Sequence, residues 1–302
     1  MIDVHYPERH APARGWRGNA AAIAAVSFDV DAETPVLAVD ERYATHLSSM
    51  SHQAYGPRVG IPRILDLLRR LSLHATFFFP AASAERWPQA LEAVLAGGHE
   101  VAYHSHRHRP LVDLSDAEQE EDFQTGLELL RRMGARPRGY RAPLWQQTAF
   151  TLELVRNAGL LYDSSLMDDD RPYRVGPAGE LAELPVHWSL DDWEQYAFLP
   201  APDIGQNIEA PSKVLELWTG ELEAMRSTGS LSTGSLCLIC CHPFLSGRPS
   251  RLRTVERFVE FARGCGDVEL LTCAQIAERV LAPADKSRAA SHRSCSHAPK
   301  RR

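Results

Sequence analysis

Four short segments of this 302-residue chain combine apolar residues with ionisable side chains that could carry out chemistry. They are FDVDAE at 28–33, HSHRH at 104–108, YRAPLW at 140–145 and ICCHP at 239–243. Carboxylates and imidazoles together hold divalent metal ions and transfer protons, and an arginine beside them keeps a carboxylate ionised. Each segment alone has a structural explanation, such as a helix cap or a hydrogen-bonded histidine. Their combination at one site indicates metal-assisted catalysis.

The histidine run is the most direct sign of a metal site, but its ligands depend on the backbone. On a strand His104, His106 and His108 share one face, whereas on a helical turn only His104 and His108 do. Polar residues follow Tyr103 without interruption, so we expect the strand to end there and a helical turn to follow. That turn pairs His104 with His108 and points His106 away. One carboxylate of the DVD loop would complete three ligands and leave a position for water, while His99 is predicted to be structural.

The polar segments follow an alternation of short apolar runs and amphipathic helical patterns. Strands are predicted at 24–29, 75–80, 99–104, 138–143, 183–188, 236–242 and 268–272. Helices are predicted between them at 61–73, 114–134, 150–159, 212–225 and 253–264, and Ser115 and Glu118 have the spacing of a capping box. This alternation predicts a parallel sheet, open or closed into a barrel. Function in such folds lies at the carboxyl ends of the strands, where all four ionisable segments lie.

Composition excludes several classes of partner. A formal charge of −6 gives no basic surface for nucleic acid, and no apolar run is long enough to span a membrane. The apolar run at 20–26 is interpreted as a buried first strand, because it leads directly into the acidic loop. The six cysteines lack the paired CxxC spacing of a metal site, and two adjacent ones on an apolar strand favour a reducing compartment, so we predict a cytoplasmic protein.

The chain is predicted to contain one large domain and two short terminal segments. We expect an N-terminal extension at 1–20, a barrel domain at 21–282 and a disordered basic tail at 283–302. The direct repeat STGSLSTGSL at 227–236 is interpreted as a flexible surface loop.

The four segments also resemble the motifs of a known family. In order along the chain, SFDVD, HSHRH, YRAPLW and LICCH are similar to motifs of the polysaccharide deacetylase superfamily, also called the NodB-homology or carbohydrate esterase 4 superfamily, over roughly residues 23–280. Three further segments, YDSSLMDDDRPY, ELPVHWSLDDW and HPFLSGRPSRL, resemble a branch with cytoplasmic peptidoglycan-deacetylase-like, allantoinase-like and cyclic-imide-hydrolysing members. The resemblance implies a distorted (β/α)7 barrel and a homo-oligomer, often a tetramer.

The resemblance also implies a role for each matching residue. Asp29 matches the general base, and Arg141 matches the arginine that orients it. His242 matches the general acid, and Trp145 a wall of the pocket. Asp31, His104 and His108 match the ligands of one divalent ion, with zinc first and cobalt, nickel or manganese as alternatives.

Other positions are less defined by the resemblance. The family's Trp-Asp-x-Asp-x-x-Asp-Trp segment is replaced here by YDSSLMDDD, so the aspartate partner of His242 stays open, with Asp163 as one candidate. Asp191 lies between two tryptophans and is either a structural residue or a candidate for lining the site. Glu33 is either a pocket wall or a helix-start residue. Arg248 either contacts substrate or a neighbouring subunit, or simply precedes a helix.

The sequence is compatible with three functions. The first is removal of N-acetyl groups from an amino sugar, the common activity of the superfamily. The second is ring opening of a small cyclic imide or ureide, favoured by the expected cytoplasmic location. The third is a catalytically inactive metal-binding protein, against which the intact pair of Asp29 and His242 argues.

Overall fold

The computed structural model describes residues 6–227 and 235–283. The predicted basic tail therefore lies outside the described residues except for its first residue, as do residues 1–5 of the extension. Most of the predicted flexible loop, at 228–234, also lies outside them.

The described residues form a curled sheet surrounded by helices. The strands are β1 (Arg9–His10), β2 (Ala22–Asp29), β3 (Thr76–Phe79), β4 (Glu100–Tyr103), β5 (Gly139–Tyr140), β6 (Tyr162–Asp163), β7 (Tyr173–Val175), β8 (Leu181–Glu183), β9 (Phe198–Pro200), β10 (Asp203–Gln206), β11 (Leu236–Cys241) and β12 (Val268–Leu270). The α-helices are α1 (Thr34–Val39), α2 (Leu47–Tyr55), α3 (Ile61–Arg70), α4 (Ala81–Arg86), α5 (Pro88–Ala96), α6 (Asp116–Arg132), α7 (Ala149–Asn157), α8 (Trp193–Tyr196), α9 (Pro211–Ser227), α10 (Pro243–Ser246), α11 (Pro249–Gly264) and α12 (Cys273–Leu281). Short 3-10 turns lie at Glu41–Thr45, Leu111–Asp113, Pro143–Trp145 and Trp188–Leu190, and a π-turn lies at Gly56–Gly60.

Seven parallel strands form the main sheet in the order β11, β2, β3, β4, β5, β6, β8. The predicted distorted (β/α)7 barrel is confirmed, although one of its seven strands differs from the prediction. The predicted strand at 268–272 is β12, which pairs beside the first half of β2, while the two-residue strand β6 was not predicted. Antiparallel β7 and β1 extend the sheet beyond β8.

A single bridge brings the two ends of the parallel sheet together. The chain leaves β8 beside β6, and at Asp191 it pairs with Cys240 of β11 in parallel. The Asp192 N–H then donates to the Cys240 carbonyl at 2.9 Å. The segment from β8 to Asp192 therefore closes the barrel and places its last residues beside the carboxyl end of β11.

Alternating residues of β2 serve two different cores, because successive side chains of a strand point to opposite faces. Ala24, Val26 and Phe28 belong to the apolar layer between the sheet and the helices. Ile23 and Ala25 belong to a second apolar cluster inside the barrel. Ile276, Val280 and neighbouring residues of α12 join this inner cluster, so α12 closes the amino end of the barrel.

Local predictions about the helices and cysteines also have clear outcomes. Ser115 accepts from the Glu118 N–H, and the Glu118 carboxylate accepts from the Ser115 N–H at 2.9 Å, so the predicted capping box at the start of α6 is confirmed. The five cysteines among the described residues form no disulfide. Within residues 6–227 and 235–283, no helix is long and apolar enough to cross a membrane.

Candidate active site

The carboxyl ends of the parallel strands surround a small cavity of about 110 Å3. Five of the six residues to which the resemblance assigns a catalytic or metal-binding role line it, at the ends of β2, β4 and β11. The predicted wall residue, Trp145, follows β5 and lines it as well. The cavity is lined by Asp29, Asp31, His104, His108, Leu144, Trp145, Trp188, Asp191, Trp193, Glu194 and His242. The four sequence segments identified by their ionisable residues therefore meet at one place, as predicted.

Three of the lining residues form a compact donor set. Asp31 Oδ1 lies 3.6 Å from His104 Nε2, and Asp31 Oδ2 lies 3.4 Å from His108 Nε2. One ligand atom from each of these residues lies within 4.8 Å of the other two, and all three residues are buried. Asp31 Oδ1 has no hydrogen-bond partner in the described part of the chain. A buried carboxylate oxygen that lacks a donor and lies beside two imidazoles is suited to binding a cation.

The protonation of the set also fits a divalent ion. His104 Nδ1 lies 2.6 Å from the Arg141 carbonyl, which favours a proton on Nδ1 and leaves the Nε2 lone pair facing Asp31. Burial lowers the pKa of His104, which favours the neutral form that binds metals. Burial alone would raise the pKa of Asp31, but the imidazoles of His108 and its neighbours outweigh this and lower it, so the carboxylate is ionised. One ionised carboxylate and two imidazoles match a catalytic zinc-type donor set.

The backbone that holds these histidines differs from the prediction. The chain after β4 forms an irregular loop, so the predicted helical turn is wrong. Ser105 and His108 have φ angles of 62° and 58°, and the His108 N–H donates to Ser105 Oγ at 3.1 Å. Tertiary contacts fix this loop, because the Ala81 N–H donates to the Ser105 carbonyl at 3.0 Å. His104 and His108 still meet, but through a tight loop.

The other two histidines of this region lie outside the cavity lining. The His106 N–H donates to Asp122 Oδ2 at 2.9 Å, and its side chain borders a separate groove. His99 Nδ1 accepts from the Ala75 N–H at 3.3 Å, just before β4. The predictions that His106 points away and that His99 is structural agree with these positions.

Asp29 and Arg141 form a buried ion pair beside the donor set. Arg141 Nη1 donates to Asp29 Oδ1 at 2.7 Å and to Ser27 Oγ at 3.0 Å. Ser164 accepts from the same guanidinium twice, with its carbonyl at 3.3 Å from Nε and its Oγ at 3.1 Å from Nη2. The guanidinium carbon lies 4.0 Å from the ring centre of Phe78. Arg141 is thus fixed on several sides, as its expected orienting function requires.

His242 is held by an aspartate that sequence reasoning did not identify as its partner. Its Nδ1 lies 2.7 Å from Asp192 Oδ1, and its backbone N–H donates to both carboxylate oxygens of Asp192. Ser246 Oγ donates to Asp192 Oδ2 as well. Burial favours neutral His242, but the hydrogen bond to Asp192 and the nearby carboxylates outweigh it and raise the pKa of His242 to about 10. The imidazole is therefore protonated at neutral pH, and its Nε2 faces Asp31 Oδ2 at 3.5 Å.

The interpretation of Asp163 as the partner of His242 is wrong. Asp163 accepts from Gln147 Nε2 at 2.7 Å and from Ser165 Oγ at 3.0 Å, and it does not line the cavity. The signal for the correct residue was present in WSLDDW. Which aspartate of that segment reaches His242 depends on the closure of the barrel, which places Asp192 next to His242.

Two further pocket candidates also lie elsewhere. Glu33 is buried and accepts from Trp87 Nε1 at 2.8 Å, which explains its position next to α1. The Arg248 guanidinium stacks on Tyr55 at 3.6 Å. Neither residue lines the cavity, so their predicted pocket roles are wrong.

Trp145 and Asp191 do line the cavity, together with residues that the sequence did not single out for it. Trp145 and Trp188 stack with ring centres 4.4 Å apart and an angle of 26° between the ring planes. Trp188 is 41% exposed, so this aromatic pair lies at the mouth of the cavity. Tryptophan spacing in HWSLDDW was the available signal, but it cannot tell a pocket wall from a core residue.

Comparisons with known proteins find relatives that cover most of this chain. A family model described as polysaccharide deacetylase matches residues 54–162. A crystal structure from Mycobacterium smegmatis, assigned as a polysaccharide deacetylase, has 40% sequence identity and a TM-score of 0.85, covering 91% of this chain and 95% of its own. A peptidoglycan deacetylase of Helicobacter pylori is 27% identical over 77% of this chain and 87% of its own. A solved allantoinase, with 24% identity and a TM-score of 0.77 over 91% of this chain and 97% of its own, shares the fold.

Proposed function

This chain belongs to the polysaccharide deacetylase family, and from that premise we propose that it is a metal-dependent hydrolase that removes N-acetyl groups from an amino-sugar substrate. The observation that carries the proposal is the meeting of three units in one cavity. They are the donor set of Asp31 with two histidines, the Asp29–Arg141 pair and the His242–Asp192 pair.

Asp31, His104 and His108 are the residues that would hold the ion. When bound there, a divalent metal supplies Lewis acidity toward a carbonyl oxygen and toward water. Zinc suits the donor set best, and cobalt, nickel or manganese remain alternatives.

Asp29 is proposed as the general base. Its Oδ1 is occupied by Arg141 at 2.7 Å, and this contact stabilises the ionised carboxylate. Oδ2 accepts only from the weak donor Cys240 Sγ, at 3.4 Å, among the hydrogen bonds of the described residues, and is therefore the oxygen that can take a proton from a water molecule in the cavity. Arg141 also prevents Asp29 from turning away, because Ser27 and Ser164 hold the guanidinium from other sides.

His242 is proposed as the general acid. Its Nδ1 is bound to Asp192, so the proton available for transfer is on Nε2, which points toward the cavity. An amide nitrogen is a poor leaving group until it is protonated, and His242 can deliver that proton. Asp29 would thus act as the base in its ionised form, and His242 would act as the acid in its protonated form. Amide hydrolysis requires one group in each of these states.

The cavity limits what can reach these groups. A volume of about 110 Å3 accommodates an acetamido group, while the remainder of a sugar would lie outside against the exposed face of Trp188. Aromatic faces are suited to packing against the apolar face of a ring.

The same small volume favours a second candidate, the opening of a cyclic imide or ureide. A five-membered ring also fits a cavity of this size, and the fold shared with a solved allantoinase supports this alternative. The inactive metal-binding protein remains the third candidate.

One pair of assays separates the candidates. We expect acetate release from N-acetylglucosamine oligomers by the metal-loaded chain, and no loss of absorbance from succinimide-type rings. The reverse pattern would favour the cyclic amidase. Failure in both assays, with close to one metal ion per chain, would favour the inactive protein. Asp29→Asn is the control, because it should abolish turnover while the metal content is retained.

Assembly and location remain predictions. A homotetramer is expected from the family resemblance, and light scattering after size-exclusion chromatography measures it. Cytoplasmic location is tested by fractionating cells that express the full chain.

A further inference from the structure

A third carboxyl group lines the cavity in addition to Asp29 and Asp31. Asp191 is 4% exposed, close to the 2% of Asp29 and the 1% of Asp31. Yet the three carboxyl groups differ in their counter-charges. Arg141 neutralises Asp29, and the imidazoles of the donor set surround Asp31.

Asp191 has no counter-charge of its own. Among the ion pairs of residues 6–227 and 235–283 it takes part in one, in which its Oδ1 lies 3.6 Å from His242 Nδ1. That nitrogen is already bound to Asp192 at 2.7 Å. Asp191 is therefore surplus to the proton-transfer and metal-binding groups, although a buried carboxylate is costly to keep without a function.

The position of Asp191 is fixed by the barrel closure. Its backbone pairs with Cys240 of β11, and its Oδ1 accepts from the Trp193 N–H at 2.8 Å. No hydrogen bond within the described part of the chain reaches its Oδ2. One carboxyl oxygen is thus anchored, and the other is free to meet a molecule in the cavity.

The surroundings of Asp191 favour its neutral form. Burial raises the pKa of Asp191 to about 8, and Asp192 and Asp29 act in the same direction against the opposing charge of His242. The charged or titratable groups that face it are Asp29 of β2, Cys240 of β11, His242 after β11, and Asp192 and Glu194 on its own segment. At neutral pH the free oxygen therefore carries a proton that it can donate.

We propose that Asp191 determines substrate specificity by donating a hydrogen bond from Oδ2 to a substrate oxygen that lies beside the scissile amide. The matching substrates carry a hydroxyl or a second carbonyl at that place. This proposal rests on the proposed amide hydrolysis, but it assigns Asp191 neither the base nor the acid function. A site built to donate such a bond rejects analogues that lack the acceptor.

A spectroscopic experiment tests whether Asp191 carries a proton, and it does not depend on turnover. Infrared difference spectra of the metal-loaded full chain at pH 7, wild type minus Asp191→Asn, should contain the carbonyl band of a protonated carboxylic acid. Adding N,N′-diacetylchitobiose or succinimide should shift that band. A missing band, or a band that neither probe shifts, overturns the proposal. A shifted band without turnover supports it and counts against the proposed function alone.

A kinetic experiment tests specificity on whichever probe is hydrolysed. Asp191→Ala should lower kcat/KM by about 10- to 100-fold, because a hydrogen bond to substrate is lost. Asp191→Asn should keep most activity at pH 7, since its amide still donates. Wild-type kcat/KM should fall as pH rises above about 8, and Asp191→Asn should lack that decline.

The matched control is Glu92→Gln, which removes one exposed carboxylate from α5 and should keep the wild-type pH profile. Equal activity of Asp191→Ala and wild type at pH 7 would overturn the proposal. So would an unchanged alkaline decline in Asp191→Asn. Thermal unfolding of each variant identifies a folding defect, and the wild-type infrared band then still decides the question.

Discussion

An enclosed carboxylate lies at each end of the barrel, Glu100 at the amino end and Asp31 at the carboxyl end, and the two differ in their hydrogen-bond partners. At the amino end, Glu100 accepts from Tyr162 Oη at 2.8 Å, from Thr76 Oγ1 at 2.7 Å and from the Ala274 N–H at 2.9 Å. At the carboxyl end, Asp31 Oδ1 has no hydrogen-bond partner within the described residues. Neutral donors satisfy the first group completely, whereas imidazoles surround the second without satisfying it.

The pKa shifts reflect the same difference. Burial raises the pKa of Glu100, and neutral donors oppose this only in part. The pKa of Asp31 is lowered despite burial, because histidine charges dominate around it. A carboxylate tied to a strand, a helix start and a tyrosine stabilises the fold. A carboxylate with a free oxygen among imidazoles is suited to binding a cation.

The sharpest test of this comparison exchanges each carboxylate for its amide. Asp31→Asn should lower the metal content from about one ion per chain to almost none, because a charged ligand is lost. Hydrolysis should fall by about 1,000-fold or more, as when a metal-assisted step is removed. Elemental analysis and acetate release measure both effects. Glu100→Gln is the matched control and should keep its metal, and equal metal loss in both variants would contradict the comparison.

A substitution at Asp192, the partner of the proposed general acid His242, should have a smaller effect on activity than Asp31→Asn. Asp192→Asn removes the negative charge on the partner of His242, and that charge helps raise the pKa of His242 to about 10. Because the protonated imidazole is the active form below its pKa, the alkaline decline of kcat should move to lower pH. At neutral pH kcat should fall by about 100-fold or more, within the range of acid–base catalysis. Unchanged kcat with an unchanged alkaline limit would exclude His242 as the acid.

At the amino end the expected effect is on stability. Glu100→Gln places an amide N–H2 against donors and should lower the free energy of unfolding by about 1–3 kcal/mol. Because the folded state raises the pKa of Glu100 above its ordinary 4.5, wild-type stability should decline as pH rises from there through the raised pKa. The variant should lack that part of the decline. Urea denaturation at several pH values measures it, and Glu92→Gln should behave like wild type.

The smallest effect on activity is expected when one hydrogen-bond partner of Arg141 is removed. Ser164→Ala removes the hydroxyl that accepts from Nη2 at 3.1 Å, while the contact of Arg141 with Asp29 remains. We expect kcat to fall about threefold to tenfold, as for a single buried hydrogen bond of about 1 kcal/mol. KM should change little, and Ser164→Thr should restore kcat. Steady-state kinetics of the three proteins provides the comparison.

Much of this site could be predicted because its parts follow local patterns. Apolar runs that end in FDVD, HSHRH and ICCH mark where strands stop, and parallel strands bring their carboxyl ends to one edge. The capping box of Ser115 and Glu118 is equally local, since both partners lie within one helical turn. For these features the neighbouring residues contain the whole signal.

Other features were decided only by contacts between distant segments. The loop from His104 to His108 takes its shape from hydrogen bonds with the start of α4 and from two positive φ angles. Helical spacing alone predicted the correct pair of histidines, His104 and His108, but it predicted the wrong backbone conformation between them.

The partner of His242 shows the same limit most clearly. The sequence offered aspartates in both YDSSLMDDD and WSLDDW, and local chemistry favours neither. The bridge between Asp191 and Cys240 closes the barrel and brings Asp192 to His242. The sequence by itself thus determined which residue types end each strand, because that depends on local hydrophobic pattern. Which of those ends meet was decided by the tertiary structure, because strand pairing joins residues about fifty positions apart.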